Sequence, residues 1–98
     1  IAAEEGESIR AVLGGDVADT GVSSSYGKYI KLKHDNDLET FYAHCAEQFV
    51  VKGQKVVQGD IIGSVGSTGL SSAPHLHFEI RQNGKLLNPS DYIDLPAQ

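Results

Sequence analysis

Apolar residues in this chain recur at every second position in short runs, and no window of about eleven residues or more keeps a 3.6-residue period. Such a chain can bury one face of each strand but offers no helix an apolar stripe, so the pattern predicts a mainly β fold, a small antiparallel sheet domain. The first run, Glu7 to Leu13, alternates through Ile9, Ala11 and Leu13, breaks at Gly14-Gly15, and a second begins at Val17. A flexible connection over Gly21 to Gly27 leads to Lys28–His34, where Ile30 and Leu32 face one way and Tyr29, Lys31 and Lys33 the other. Asp35-Asn36-Asp37 supplies a turn, and the return strand, Leu38 to His44, is expected to place Leu38, Thr40, Tyr42 and His44 on one face. Val51-Lys52-Gly53-Gln54 and Val57-Gln58-Gly59-Asp60 echo one another, which predicts two tight turns joined by a short strand. The last clear strand runs His75 to Arg81, and Asn83-Gly84 is the strongest hairpin signal in the chain.

A chain of 98 residues is near the smallest size that sustains its own core, so residues 1–98 are read as one domain. Residues 88–98 lose the period of two and are expected to form a tail packing on that domain, with one short helical turn after Pro89. The start, Ile1-Ala2-Ala3-Glu4-Glu5-Gly6, has neither Met nor a charged-then-apolar leader and reads as the interior of a longer polypeptide. No apolar run approaches the roughly 20 residues that span a bilayer, so no membrane span is expected in this chain. Eight Lys and Arg against thirteen Asp and Glu give a net charge of −5, which repels phosphate backbones and argues against nucleic acid as a partner. The single cysteine, Cys45, can make neither an internal disulfide nor a CxxC motif.

Chemistry concentrates in His75-Leu76-His77-Phe78-Glu79-Ile80-Arg81. Strand alternation puts His75, His77, Glu79 and Arg81 on one face, with Leu76, Phe78 and Ile80 on the core face. Two imidazoles two apart can reach one metal, or one metal and one substrate group; alternatively, this is only a solvated polar face. Glu79 can orient an imidazole or simply pair with Arg81 or a cross-strand lysine. His44 closes its strand at a point suited to a site, whereas His34 adjoins a turn, is expected in solvent and is given no role. Cys45 beside His44 is not read as a nucleophile with its base, because neighbouring strand residues face apart.

Taken together, Ile1-Ala2-Ala3, Tyr26-Gly27-Lys28-Tyr29-Ile30, Thr40-Phe41-Tyr42-Ala43-His44, Val51-Lys52-Gly53-Gln54, Gly59-Asp60-Ile61-Ile62-Gly63, Gly66-Ser67-Thr68-Gly69 and Pro74-His75-Leu76-His77-Phe78-Glu79 resemble the lysostaphin-like, LytM-type zinc endopeptidases that cut bacterial cell-wall peptides, peptidase family M23. The resemblance covers nearly the whole chain. It implies a small antiparallel sheet with a second sheet layer and a groove whose floor carries one zinc ion. It implies His77 as a zinc ligand, His75 and His44 as catalytic imidazoles that position or deprotonate water and stabilise the oxyanion, and Thr68, Gly69 and Tyr42 along the substrate groove. Two further ligands, a His and an Asp four residues apart, are expected immediately before the stretch that aligns with Ile1-Ala2-Ala3. Cys45, where an aliphatic residue is usual, and Ala73, where glycine is common, depart from the pattern.

The implied activity is hydrolysis of peptide cross-links in peptidoglycan, in an extracytoplasmic compartment of a bacterium, with a narrow cleft suited to short side chains. A noncatalytic module of the same family would instead bind cell wall or a regulatory protein partner in division, sporulation or envelope regulation. The Val51–Gly63 stretch is also similar to the turns of biotinyl and lipoyl carrier domains, but a chain without Met lacks the Met-Lys-Met hairpin of those carriers.

Overall fold

The structure is a computed structural model, and it describes residues 6–66 and 77–87. Eight strands are present among these: β1 (Ser8–Arg10), β2 (Gly15–Ser23), β3 (Gly27–Lys33), β4 (Leu38–Gln48), β5 (Lys55–Val56), β6 (Ile61–Val65), β7 (His77–Gln82) and β8 (Lys85–Leu87). All pairings are antiparallel, and the main path runs β1-β6-β4-β3-β2-β5, with β7 on β4 and β8 on β7. The strands join in one sheet. Ile9, Val17, Ile30, Leu32, Tyr42, Val56, Ile62 and Val65, drawn from both ends of that path, pack in a single buried cluster, so the sheet curls around its own apolar face. Among the described residues no helix is long and apolar enough to cross a membrane.

Local chemistry explains the turns. Asn36 and Asp37 both take positive φ, 61° and 58°, and Asn83-Gly84 takes 52° and 77°, the left-handed pairs that two-residue hairpins require. The two echoing segments are twin turns: Gly53 and Gly59 each sit at φ 91°, and the Gln54 and Asp60 amides donate to the Val51 and Val57 carbonyls at 3.1 Å. The short strand expected between them is β5.

Beyond its turn, β4 decides where a site can lie. Its first half, Leu38 to Ala43, pairs with β7, and its second half, Cys45 to Gln48, pairs with β6, while β3 runs along its other edge. At the point of exchange β4 carries one extra residue: Ile30 is opposite Tyr42, but Lys28 is opposite Cys45. His44 occupies this bulge with φ 61°, a conformation costing a non-glycine residue about 1–2 kcal/mol. Its amide donates to the Tyr26 carbonyl at 2.8 Å and its carbonyl accepts from the Gly66 amide at 3.0 Å. Gly66 is required for that closure, since a Cβ there would lie 2.7 Å from the Ala46 nitrogen.

The bulge overturns the expected common face of Tyr42 and His44. Thr40, Tyr42 and then Cys45 point into the core, all fully buried, so the inward positions skip from 42 to 45 and His44 turns away from Tyr42. Tyr42 therefore lies in the core and not on a groove. Its hydroxyl accepts from the Val12 amide at 3.2 Å and from the Thr40 hydroxyl at 3.0 Å.

His34 is a second correction. It is buried rather than in solvent, with Nδ1 2.7 Å from the Gly14 carbonyl and Nε2 2.8 Å from Thr40 Oγ1. A Cβ on Gly15 would lie 2.9 Å from Nδ1, so the missing side chain at Gly15 makes room for the ring. Burial pushes the Cys45 thiol up to about 11, which removes it as a nucleophile near neutral pH.

Candidate active site

β7 opens with His77, opposite Ala43 of β4, one residue from the bulge. Phe78 and Ile80 face the core, where Phe78 packs on Tyr42 with ring centroids 5.3 Å apart, so His77, Glu79 and Arg81 share the opposite face as the alternation predicts. There His77 Nε2 lies 2.7 Å from Glu79 Oε2, and Arg81 donates to Glu79 Oε1 from Nε at 3.2 Å and Nη2 at 3.1 Å. Both sequence readings of Glu79 hold at once: it orients the imidazole and it pairs with Arg81. Burial pushes the Glu79 carboxyl up, but the hydrogen bonds from His77 and Arg81 and their charges outweigh it and hold the group below the usual carboxylate range.

The bulge brings the second histidine to the first. The rings of His44 and His77 stand edge to face at 6.1 Å, although the two residues lie on different strands. Tyr26 leans on His77 at 5.4 Å, and Phe41 meets it edge-on at 6.4 Å and Tyr26 at 5.1 Å, forming an aromatic wall on one side of the pair. Beyond that wall a cavity of about 300 Å³ opens between Phe41, Glu79, Arg81, Lys31 and Glu39. Sequence reasoning missed Tyr26 and Phe41 as site residues. Phe41 was open to detection, two residues before Ala43 on the face that carries Glu39.

His75, Thr68 and Gly69, the other expected site residues, lie outside the described residues. The donor chemistry of His77 fits zinc, because Glu79 engages Nε2 and leaves Nδ1 as the nitrogen that could take a metal, with the carboxylate in the place such a partner has beside a ligating imidazole. Among the described residues no group of three or more His, Cys, Asp or Glu could hold a metal ion. A catalytic zinc ordinarily takes three protein ligands, of which His77 could supply one.

The model of peptidase family M23 matches residues 1–89. This chain belongs to that family. Its eight-stranded curled sheet is the fold of a zinc-containing peptidase from Vibrio cholerae, with a TM-score of 0.88 and 30% identity over 97% of this chain and 29% of that one. Among characterised relatives, the DD-carboxypeptidase/endopeptidase Mpg of Neisseria meningitidis serogroup B is 42% identical over 88 residues, 90% of this chain and 20% of Mpg. The murein hydrolase activator NlpD of Escherichia coli K12 is 42% identical over 94 residues, 95% of this chain and 24% of NlpD. The chain thus spans about a fifth to a quarter of these relatives, and their names connect its family to the bacterial cell wall.

Proposed function

We propose that this domain is a zinc-dependent endopeptidase that hydrolyses peptide cross-links of bacterial peptidoglycan outside the cytoplasm, with His77 as one zinc ligand beside the expected upstream His and Asp. The observation that carries this reading is the bulge at His44. A strained residue is held by two backbone hydrogen bonds so that its imidazole faces His77, which Glu79 already orients.

Zinc, when bound, supplies Lewis acidity toward the scissile carbonyl and acidifies water. His44 Nδ1 or Nε2 takes the proton of the attacking water or returns it to the leaving amine, a role that the family resemblance also gives to His75. Tyr26 and Phe41 pack against the His77 ring from one flank and hold it in place. The resemblance to the family assigns Thr68 and Gly69 to the substrate groove.

A second reading keeps the fold without catalysis. The 42% identity to a murein hydrolase activator over nearly the whole chain favours it. Incubating the zinc-supplemented protein with purified peptidoglycan separates the two. The peptidase reading predicts new amino groups in the soluble fraction, abolished by a chelator and restored by zinc. A protein that sediments with peptidoglycan yet releases no amino groups supports the binding module instead.

A further inference from the structure

We propose that the cavity beside His77 recognises a free carboxylate on the substrate peptide, about two residues from the scissile bond, through Lys31 and Arg81. This rests on the peptidase reading for the position of the scissile bond and names the class of residue that flanks it.

The register sets the geometry. Strands β3, β4 and β7 are neighbours, and their paired residues form rows across the floor: Ala43 with His77, then Lys31, Phe41 and Glu79, then Lys33, Glu39 and Arg81. Each row lies about 7 Å beyond the last, the length of two residues of extended peptide. A peptide whose scissile carbonyl sits at His77 and His44 therefore carries its second flanking residue over Phe41, between Lys31 on one side and Glu79 on the other, with Arg81, one row further on, reaching back to Glu79.

Charge then selects the ligand. Both oxygens of Glu79 are committed, one to His77 and one to Arg81. Glu39 lies in register between Lys33 and Arg81, and Asp19, the β2 neighbour of Lys31, accepts the Tyr29 hydroxyl at 3.0 Å. Among the described residues, ion pairs join Lys55 to Asp16 and Glu79 to His77 and Arg81, and none involves Lys31. Lys31 lines the cavity together with Arg81, whose Nη1 is not spent on Glu79, and with Glu39 and Glu79, the last already held by His77 and Arg81. Lys31, which no ion pair among the described residues occupies, and the remaining N–H groups of Arg81 suit an anionic, planar acceptor, and a carboxylate takes charge-assisted hydrogen bonds from both. A peptide made only of glycine offers Lys31 nothing.

The test uses two synthetic stem peptides with the same scissile bond, one bearing a free carboxylate at the flanking residue and one bearing the carboxamide. Cleavage is measured with the zinc-loaded full-length protein, and binding with the same protein by nuclear magnetic resonance shifts around Phe41. The expected result is about a tenfold higher kcat/KM for the carboxylate peptide, declining as ionic strength rises. Lys31→Gln, which keeps the stem, brings the ratio toward one, and Lys31→Glu inverts it. Equal cleavage and equal binding of the two peptides by the wild type overturns the carboxylate site and leaves the peptidase reading standing. Tighter binding of the carboxylate peptide without cleavage of either supports the site and defeats the peptidase reading; no binding of either defeats both.

Discussion

Replacing His77 with alanine is expected to remove bound zinc and hydrolysis together, taking metal content from near one per polypeptide to near none and activity down by about a thousandfold or more. The expectation applies to the protein that carries the upstream His and Asp. Glu79 bonds the Nε2 side of the ring, so the substitution deletes the remaining nitrogen as a donor while the Glu79–Arg81 pair persists. Loss of the ring also removes its contacts with Tyr26 and Phe41, worth about 0.5–1.5 kcal/mol each, too little to unfold an otherwise intact sheet. Inductively coupled plasma analysis and a thermal melt on the same sample separate the two effects. Full zinc occupancy in a folded His77→Ala protein would reject His77 as a ligand.

His44→Ala is expected to leave zinc in place and lower turnover by about 10²–10⁴-fold, the usual contribution of a positioned acid or base. Because His44 sits at φ 61°, alanine there also meets backbone strain, and the substitution alone would confound catalysis with local structure. Asparagine tolerates that conformation better than alanine. His44→Asn should therefore match the alanine variant in lost turnover while melting closer to the wild type. Unchanged turnover in the asparagine variant would reduce His44 to a structural role at the bulge.

These two histidines show how far the sequence could be read. Alternation located His77, Glu79 and Arg81 on one face, and it did so because β7 is regular from its first described residue. The turns at Asp35–Asp37, Gly53, Gly59 and Asn83-Gly84 were legible for a different reason, since each needs left-handed backbone that only a few residue types accept. On β4 the same alternation failed. A period of two carried past Tyr42 groups His44 on one face with Leu38, Thr40 and Tyr42, whereas the bulge sends Cys45 inward and turns His44 toward His77. The apolar Cys45 one place out of phase was the available sign.

His34 was misread for a tertiary reason. Its burial depends on the gap at Gly15, on the neighbouring strand, and on Thr40 two strands from Gly15, none of which is local in sequence. The aromatic wall of Tyr26 and Phe41 likewise joins a turn to a strand. The charged cavity floor, by contrast, follows from register alone once β3, β4 and β7 are known to be adjacent.

The central claim is that His77 belongs to a zinc site, and zinc per polypeptide tests it most directly. Elemental analysis would be made on the protein as naturally produced, purified without added metal. The account predicts close to one zinc per chain. Essentially none, even after zinc is offered, would contradict it and leave a cell-wall or partner-binding module that keeps the fold of the family.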